Sequence, residues 1–70
     1  MEPFKINTEI SAGKKEFEVL FENHAYTLVE SGSIAAVIKC KDNKWLFTKG
    51  SYSEEDAEII GNLISQNRAQ

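Results

Sequence analysis

The stretch FEVLFENHAYTLVE, Phe17 to Glu30, holds two alternating runs on either side of Asn23-His24. In the first run Phe17, Val19 and Phe21 alternate with Glu16, Glu18, Leu20 and Glu22. In the second, Tyr26 and Leu28 alternate with Thr27 and Val29. Period-two alternation is the pattern of a half-buried strand. A two-residue turn at Asn23-His24 sets Phe21 opposite Tyr26 and Val19 opposite Leu28, so both apolar rows share one face. Such turns need positive φ at their centre, and asparagine and histidine tolerate it better than most residues. His24, the only histidine, therefore reads first as a turn residue.

The same alternation extends outward. Phe4, Ile6, Thr8 and Ile10 oppose Lys5, Asn7 and Glu9. Ile34, Ala36, Ile38 and Cys40 oppose Ala35, Val37 and Lys39. Trp45 and Phe47 oppose Leu46 and Thr48. Five strands are expected, over about residues 3–11, 15–22, 25–30, 33–41 and 44–49. A Gly13-Lys14 turn would set Ile10 against Phe17 and Ile6 against Phe21. A three-residue Glu30-Ser31-Gly32 turn would set Leu28 against Ile34. It is preferred over a two-residue Ser31-Gly32 turn, which would put Leu28 against Ala35 and split the core. Asp42-Asn43 sets Cys40 against Trp45 and Ile38 against Phe47.

After Gly50 the period lengthens. Ser53 has the character of an N-cap, with Asp56 three residues on and Tyr52 and Ala57 placed as a hydrophobic staple. Glu54, Glu55 and Asp56 suit the positive end of a helix dipole. Ala57, Ile60 and Ile64, with Ile59 and Leu63 beside them, form a helical stripe over about residues 53–67. Gly61 beside that stripe costs about 1 kcal/mol relative to alanine. Its place suggests a close approach to a bulky sheet residue such as Trp45. The expected fold class is α+β: a five-stranded antiparallel meander, order 1-2-3-4-5, with one C-terminal helix across one face. The alternative architecture is a small, partly closed barrel with the helix plugging one end.

Seventy residues with 41% hydrophobic content and a net charge of −3 fit one small domain spanning residues 1–70. A chain this size buries roughly 7,000 Å² on folding. The apolar part contributes about 105 kcal/mol, close to the roughly equal ordering cost. Every local signal must agree for such a domain to fold. No apolar run is long enough for a membrane helix. The N-terminal MEPFKINTEI has no basic-then-apolar leader pattern, so the cytoplasm is the default expectation.

Catalytic patterns are weak, and an enzyme is not expected. Cys40, in register with Trp45, reads as an inert core residue, and His24 is expected at the far end of its hairpin from it. Glu54, Glu55, Asp56 and Glu58 lack the spacing of a calcium loop, and helix capping accounts for them. No glycine run cradles phosphate. The aromatic residues Phe17, Phe21, Tyr26, Trp45 and Phe47 share the face the helix must cover. The acidic balance also opposes nucleic acid. No metal or cofactor is expected.

The opposite face is more informative. Leu20, Thr27, Val29, Val37 and Leu46 point away from the helix, with Ala35 and Thr48 among them. Glu9, Glu16, Glu18 and Glu22 lie to one side, and Lys39, Lys41 and Lys44 to the other. A sheet face meant only for water usually carries more charge. The expectation is a protein-interaction or self-association module that uses this outer face or an exposed edge strand, with contacts on the face that include Leu20, Thr27, Val29, Val37, Leu46, Lys39 and Glu18. The partner is another protein or a second copy of the chain in a weak homodimer. The alternative is a small-ligand or nucleic-acid binder at the loop end near His24 and Asp42-Asn43.

Overall fold

A computed structural model describes residues 2–50 and 52–68, and the side chains of these residues except Arg68. It contains β1 (Phe4–Ile10), β2 (Gly13–Glu22), β3 (Ala25–Glu30), β4 (Ser33–Lys41), β5 (Lys44–Lys49) and α1 (Glu54–Arg68). The strands form one antiparallel sheet in the order β1-β2-β3-β4-β5. The meander and its trailing helix are those the alternation predicts.

The helix backbone comes within 8 Å of β1, β4 and β5, which include both edge strands. Five strands about 4.8 Å apart span roughly 19 Å when flat. A helix is only about 10 Å across. A 15-residue helix is about 22 Å long and could cross a flat sheet. Among the described residues, however, α1 comes this close to both edges and not to the central β2 and β3, so the sheet must coil around it. The sheet is thus open but strongly curled, with α1 lying in its concave side.

Two register irregularities accompany that curl, as bulges do by adding local twist. The first lies between β3 and β4. Val29 pairs with Ile34, but Leu28 pairs with Ala36, leaving Ala35 as the extra residue. The second lies between β4 and β5. Ile38 pairs with Phe47, but Val37 pairs with Lys49, leaving Thr48 unmatched. The Thr48 hydroxyl donates to the Val37 carbonyl at 3.5 Å.

The hairpin at Asn23-His24 has the expected register, with φ of 53° and 62° at the turn. Asp42 and Asn43, at φ 54° and 64°, likewise give Cys40↔Trp45 and Ile38↔Phe47. The other two turns differ from expectation. The first is made by Ser11 and Ala12, and Gly13 opens β2 at φ 107°. Glycine is needed just after this turn, where the chain re-enters the strand, and not as its first residue. Ile6 therefore pairs with Phe17, and Ile10 with Gly13. The shift is four residues, an even number, so the apolar face survives it.

The third turn is the two-residue Ser31-Gly32, at φ 51° and 80°. The bulge at Ala35 removes the clash of faces that such a turn would otherwise create. Ile34 pairs with Val29 on the outer face and is 57% exposed. Leu28 faces Ala36 in the core instead.

The core joins Ile6, Ile10, Phe17, Val19, Tyr26, Leu28, Ala36 and Ile38 from the sheet to Ala57, Ile60 and Ile64 from the helix. Trp45, Phe47, Tyr52 and Leu63 are half-buried against it. Tyr52 stands edge-on to Phe17, with ring centroids 6.1 Å apart, and lies 5.7 Å from Phe47. Ile59 is 40% exposed, at the margin of the helical stripe.

Gly61 is buried and lies directly against Trp45. A Cβ built there would sit 2.1–2.3 Å from three atoms of the indole. No real Cβ can be so close, so only glycine lets the helix settle on this ring. Gly61→Ala gains about 1 kcal/mol of helix propensity, yet it forces the ring or the helix to move. We expect a net loss of about 1–3 kcal/mol from overpacking. Denaturant unfolding measures it, and in a Trp45→Leu background the penalty should shrink.

Candidate functional site

The outer face is built row by row from the strand registers. One row is Lys5–Glu18–Val29–Ile34, and the next is Leu20–Thr27–Val37–Lys49. A third contains Glu22 and Ala25 on one side and Lys39 and Leu46 on the other. Leu20, Val29, Val37, Lys39 and Leu46 are each partly exposed, and Glu18 is exposed. Ile34 adds a large apolar group that strand alternation alone assigns to the core. A two-residue turn ending in glycine, followed by two alanines able to absorb a bulge, was the available cue.

Thr27 differs from its neighbours. It is only 4% exposed, and its hydroxyl donates to Glu22 Oε1 at 3.2 Å. It forms the floor of the face, and Leu20 and Val37 on either side present the accessible apolar surface.

The charges are sorted, though less completely on the acidic side than the sequence suggests. On β1–β2, Lys5 is opposite Glu18 and Lys14 is opposite Glu9. Glu16 and Glu22 lie across from Asn7 and Ala25, so the flank keeps an acidic excess. On β4–β5, the register puts Lys39, Lys41 and Lys44 on the outer face, and the bulge at Thr48 brings Lys49 level with Val37 there. Lys49 joins the three lysines expected there.

The acidic run at the helix start is divided by the structure. Glu54, Glu55 and Glu58 are exposed, whereas Asp56 is 2% exposed. The Ser11 hydroxyl donates to Asp56 Oδ2 at 2.5 Å, and the Ser11 N–H to Oδ1 at 3.0 Å. The Ser53 N–H donates to Oδ2 at 3.3 Å, and the Asp56 N–H donates back to Ser53 Oγ at 3.2 Å. This is a capping box that also ties the first β-turn to the helix. The Ser11 hydroxyl and N–H, helped by Ser53, hold the Asp56 carboxyl below its ordinary value despite burial, which pushes the other way. The carboxylate is structural, with its acceptor sites already engaged.

The loop end near His24 and Asp42-Asn43 has little built chemistry. His24, Asp42 and Asn43 are exposed turn residues. Cys40 is exposed, not buried: it sits on the last rung before the Lys41↔Lys44 pair that closes the hairpin. Continuing the Tyr26↔Ile38 rung by two steps brings His24 level with Cys40. The two therefore share one end of the sheet, contrary to the sequence expectation, because the turns on either side of β3–β4 fall on the same side. No hydrogen bond joins their side chains among the described residues. Among the described residues no group of three His, Cys, Asp or Glu is placed to share a metal ion, and no helix is long and apolar enough to cross a membrane.

Compared with known proteins, the chain gives no significant match to a family model, a curated protein or a solved structure.

Two substitutions test these local assignments. Asp56→Asn should cost about 1–3 kcal/mol at neutral pH, since charged hydrogen bonds are lost from a buried site. A folded-state pKa below the ordinary 3.8 gives stability that is present above that value and lost as pH falls through the folded pKa. The variant should therefore show a flatter acid limb in unfolding midpoints measured against pH. His24→Gly should leave stability unchanged or raise it by up to about 1 kcal/mol, because glycine takes positive φ without strain.

Proposed function

We propose that this chain is a non-enzymatic interaction module that associates with a second copy of itself through the outer sheet face. The observation that carries this reading is the order of side chains across that face. Acidic excess lies on β2, apolar groups lie through the middle, and lysines lie on β4 and β5.

The order selects one symmetry. A two-fold axis lying along β3 exchanges left and right, so β2 of one copy meets β4 of the other. Leu20 then faces the partner's Val37, and Glu22 faces the partner's Lys39. An axis across the strands would set β2 on β2 and bring glutamates together. A self-complementary surface of this kind suits a closed dimer, and opposite potentials fix its register.

The contact is weak. Strands about 4.8 Å apart and roughly 17 Å long give about 400 Å² of flat face. That is half of the roughly 800 Å² per partner in a standard interface. The curl makes the outer face convex, which reduces the contact further. The expected dimer is transient, and salt weakens it.

A charge exchange tests both the association and its symmetry. Glu22→Lys alone and Lys39→Glu alone should each weaken self-association in sedimentation runs at low salt. An equimolar mixture of the two variants should recover it, because both cross-pairs become opposite in sign. Ile34→Glu should give a monomer at every concentration. A wild-type chain that stays monomeric at the highest concentration in low salt, or a mixture no better than its components, would contradict the reading.

A further inference from the structure

β5 is an edge strand. Among the described residues it pairs with β4 alone, and α1 runs alongside it. Two depressions lie between strand and helix. One is bordered by Trp45, Lys44 and Asn43 on the strand side, and by Glu54, Glu55, Glu58 and Asn62 on the helix side. The other is bordered by Phe47, Tyr52, Ala57 and Gly50. Trp45 and Glu54 border both, so the two depressions adjoin along the groove between β5 and α1. No ion pair engages Glu54, Glu55 or Glu58 among the described residues.

We infer that this groove binds a short extended peptide segment of a partner protein, added as a sixth strand along β5. The segment carries an apolar residue and an arginine two positions apart. Edge backbone groups supply the affinity in this mode of recognition, and pockets for alternate side chains supply the specificity. Residues directly opposite one another on neighbouring strands point to the same side. The peptide residues opposite Trp45 and Phe47 therefore enter the groove. The residue between them is level with Leu46 and points to the outer face.

The two ends of the groove ask for different side chains. Beside Phe47, Tyr52 and Ala57 the lining is mainly apolar and takes a branched aliphatic group. Beside Trp45 it offers an indole and the carboxylates of Glu54, Glu55 and Glu58, with Lys44 of the β4–β5 hairpin at its rim. An arginine satisfies both, stacking on the ring and pairing with the acids. The bulge at Thr48 ends regular pairing there, so the docked strand is short. The opposite edge strand, β1, is preceded by Pro3, which cannot donate a backbone hydrogen bond to an added strand.

The chain's only tryptophan lies in this groove, so its fluorescence reports occupancy. The probe is the capped hexapeptide Ser-Thr-Ile-Thr-Arg-Thr. Titration should change Trp45 emission and should slow hydrogen exchange at the β5 amides that point away from β4. N-methylation at alternate peptide positions should abolish binding for one set of positions and spare the other. Replacing the peptide arginine by glutamate, or Glu58→Lys in the protein, should weaken binding roughly fivefold or more. Ile34→Glu, on the outer face, should leave it unchanged, which separates this site from the self-association surface. No change at Trp45, equal loss from both N-methyl sets, or equal binding of the glutamate peptide would overturn the inference.

Discussion

The fold depends on one helix lying against both edges of a five-stranded sheet. That demand is severe in so short a chain. The sheet must curl, the helix must come close, and every strand must keep its apolar row turned inward. Two contacts fix the helix where the curl requires it. Trp45 lies against the bare backbone at Gly61 on the β5 side. Asp56 gathers Ser11 and Ser53 at the helix start, tying the β1–β2 turn to the cap. One contact is made of shape and the other of hydrogen bonds, and between them lie Ala57, Ile60 and Ile64 in a closed core.

The outer face follows from the same curl. Bulges that tighten the sheet each insert one residue, and an inserted residue reverses the phase of all that precede it on its strand. At Ala35 this carries Ile34 out of the core and places it beside Val29. The apolar strip on the outside is thus partly a product of closing the inside. A convex face with a narrow apolar strip, an acidic side and a basic side fits brief, salt-sensitive association better than permanent assembly.

Much of this was legible in the sequence. Alternation marked all five strands, and Ser53 with Asp56 marked the helix start. Asn23-His24 and Asp42-Asn43 were placed correctly because turns with two positive φ values have a restricted vocabulary. Gly61 was legible as a close approach, since a helix tolerates glycine at a cost and something must offset it. The two misplaced turns show what alternation cannot resolve. At Gly13 an even-numbered slip preserves every face, so patterning is silent about it. It was long-range chemistry, Ser11 reaching Asp56 across 45 residues, that accompanied the true register. At Ser31-Gly32 the bulge that rescues the phase leaves only a pair of small residues as its trace. The exposure of Cys40 was missed because register gives the side of a sheet but not how far along it the helix reaches.

The fold stands or falls on the phase of the strands against the helix, which nuclear Overhauser contacts in the isotope-labelled protein report. Strong contacts are expected from the Trp45 indole to the α-protons of Gly61, and none from the Ile34 methyls to any residue of the helix. Contacts between Ile34 and Ile60 or Ile64, or a Trp45 ring without neighbours in the helix, would contradict it.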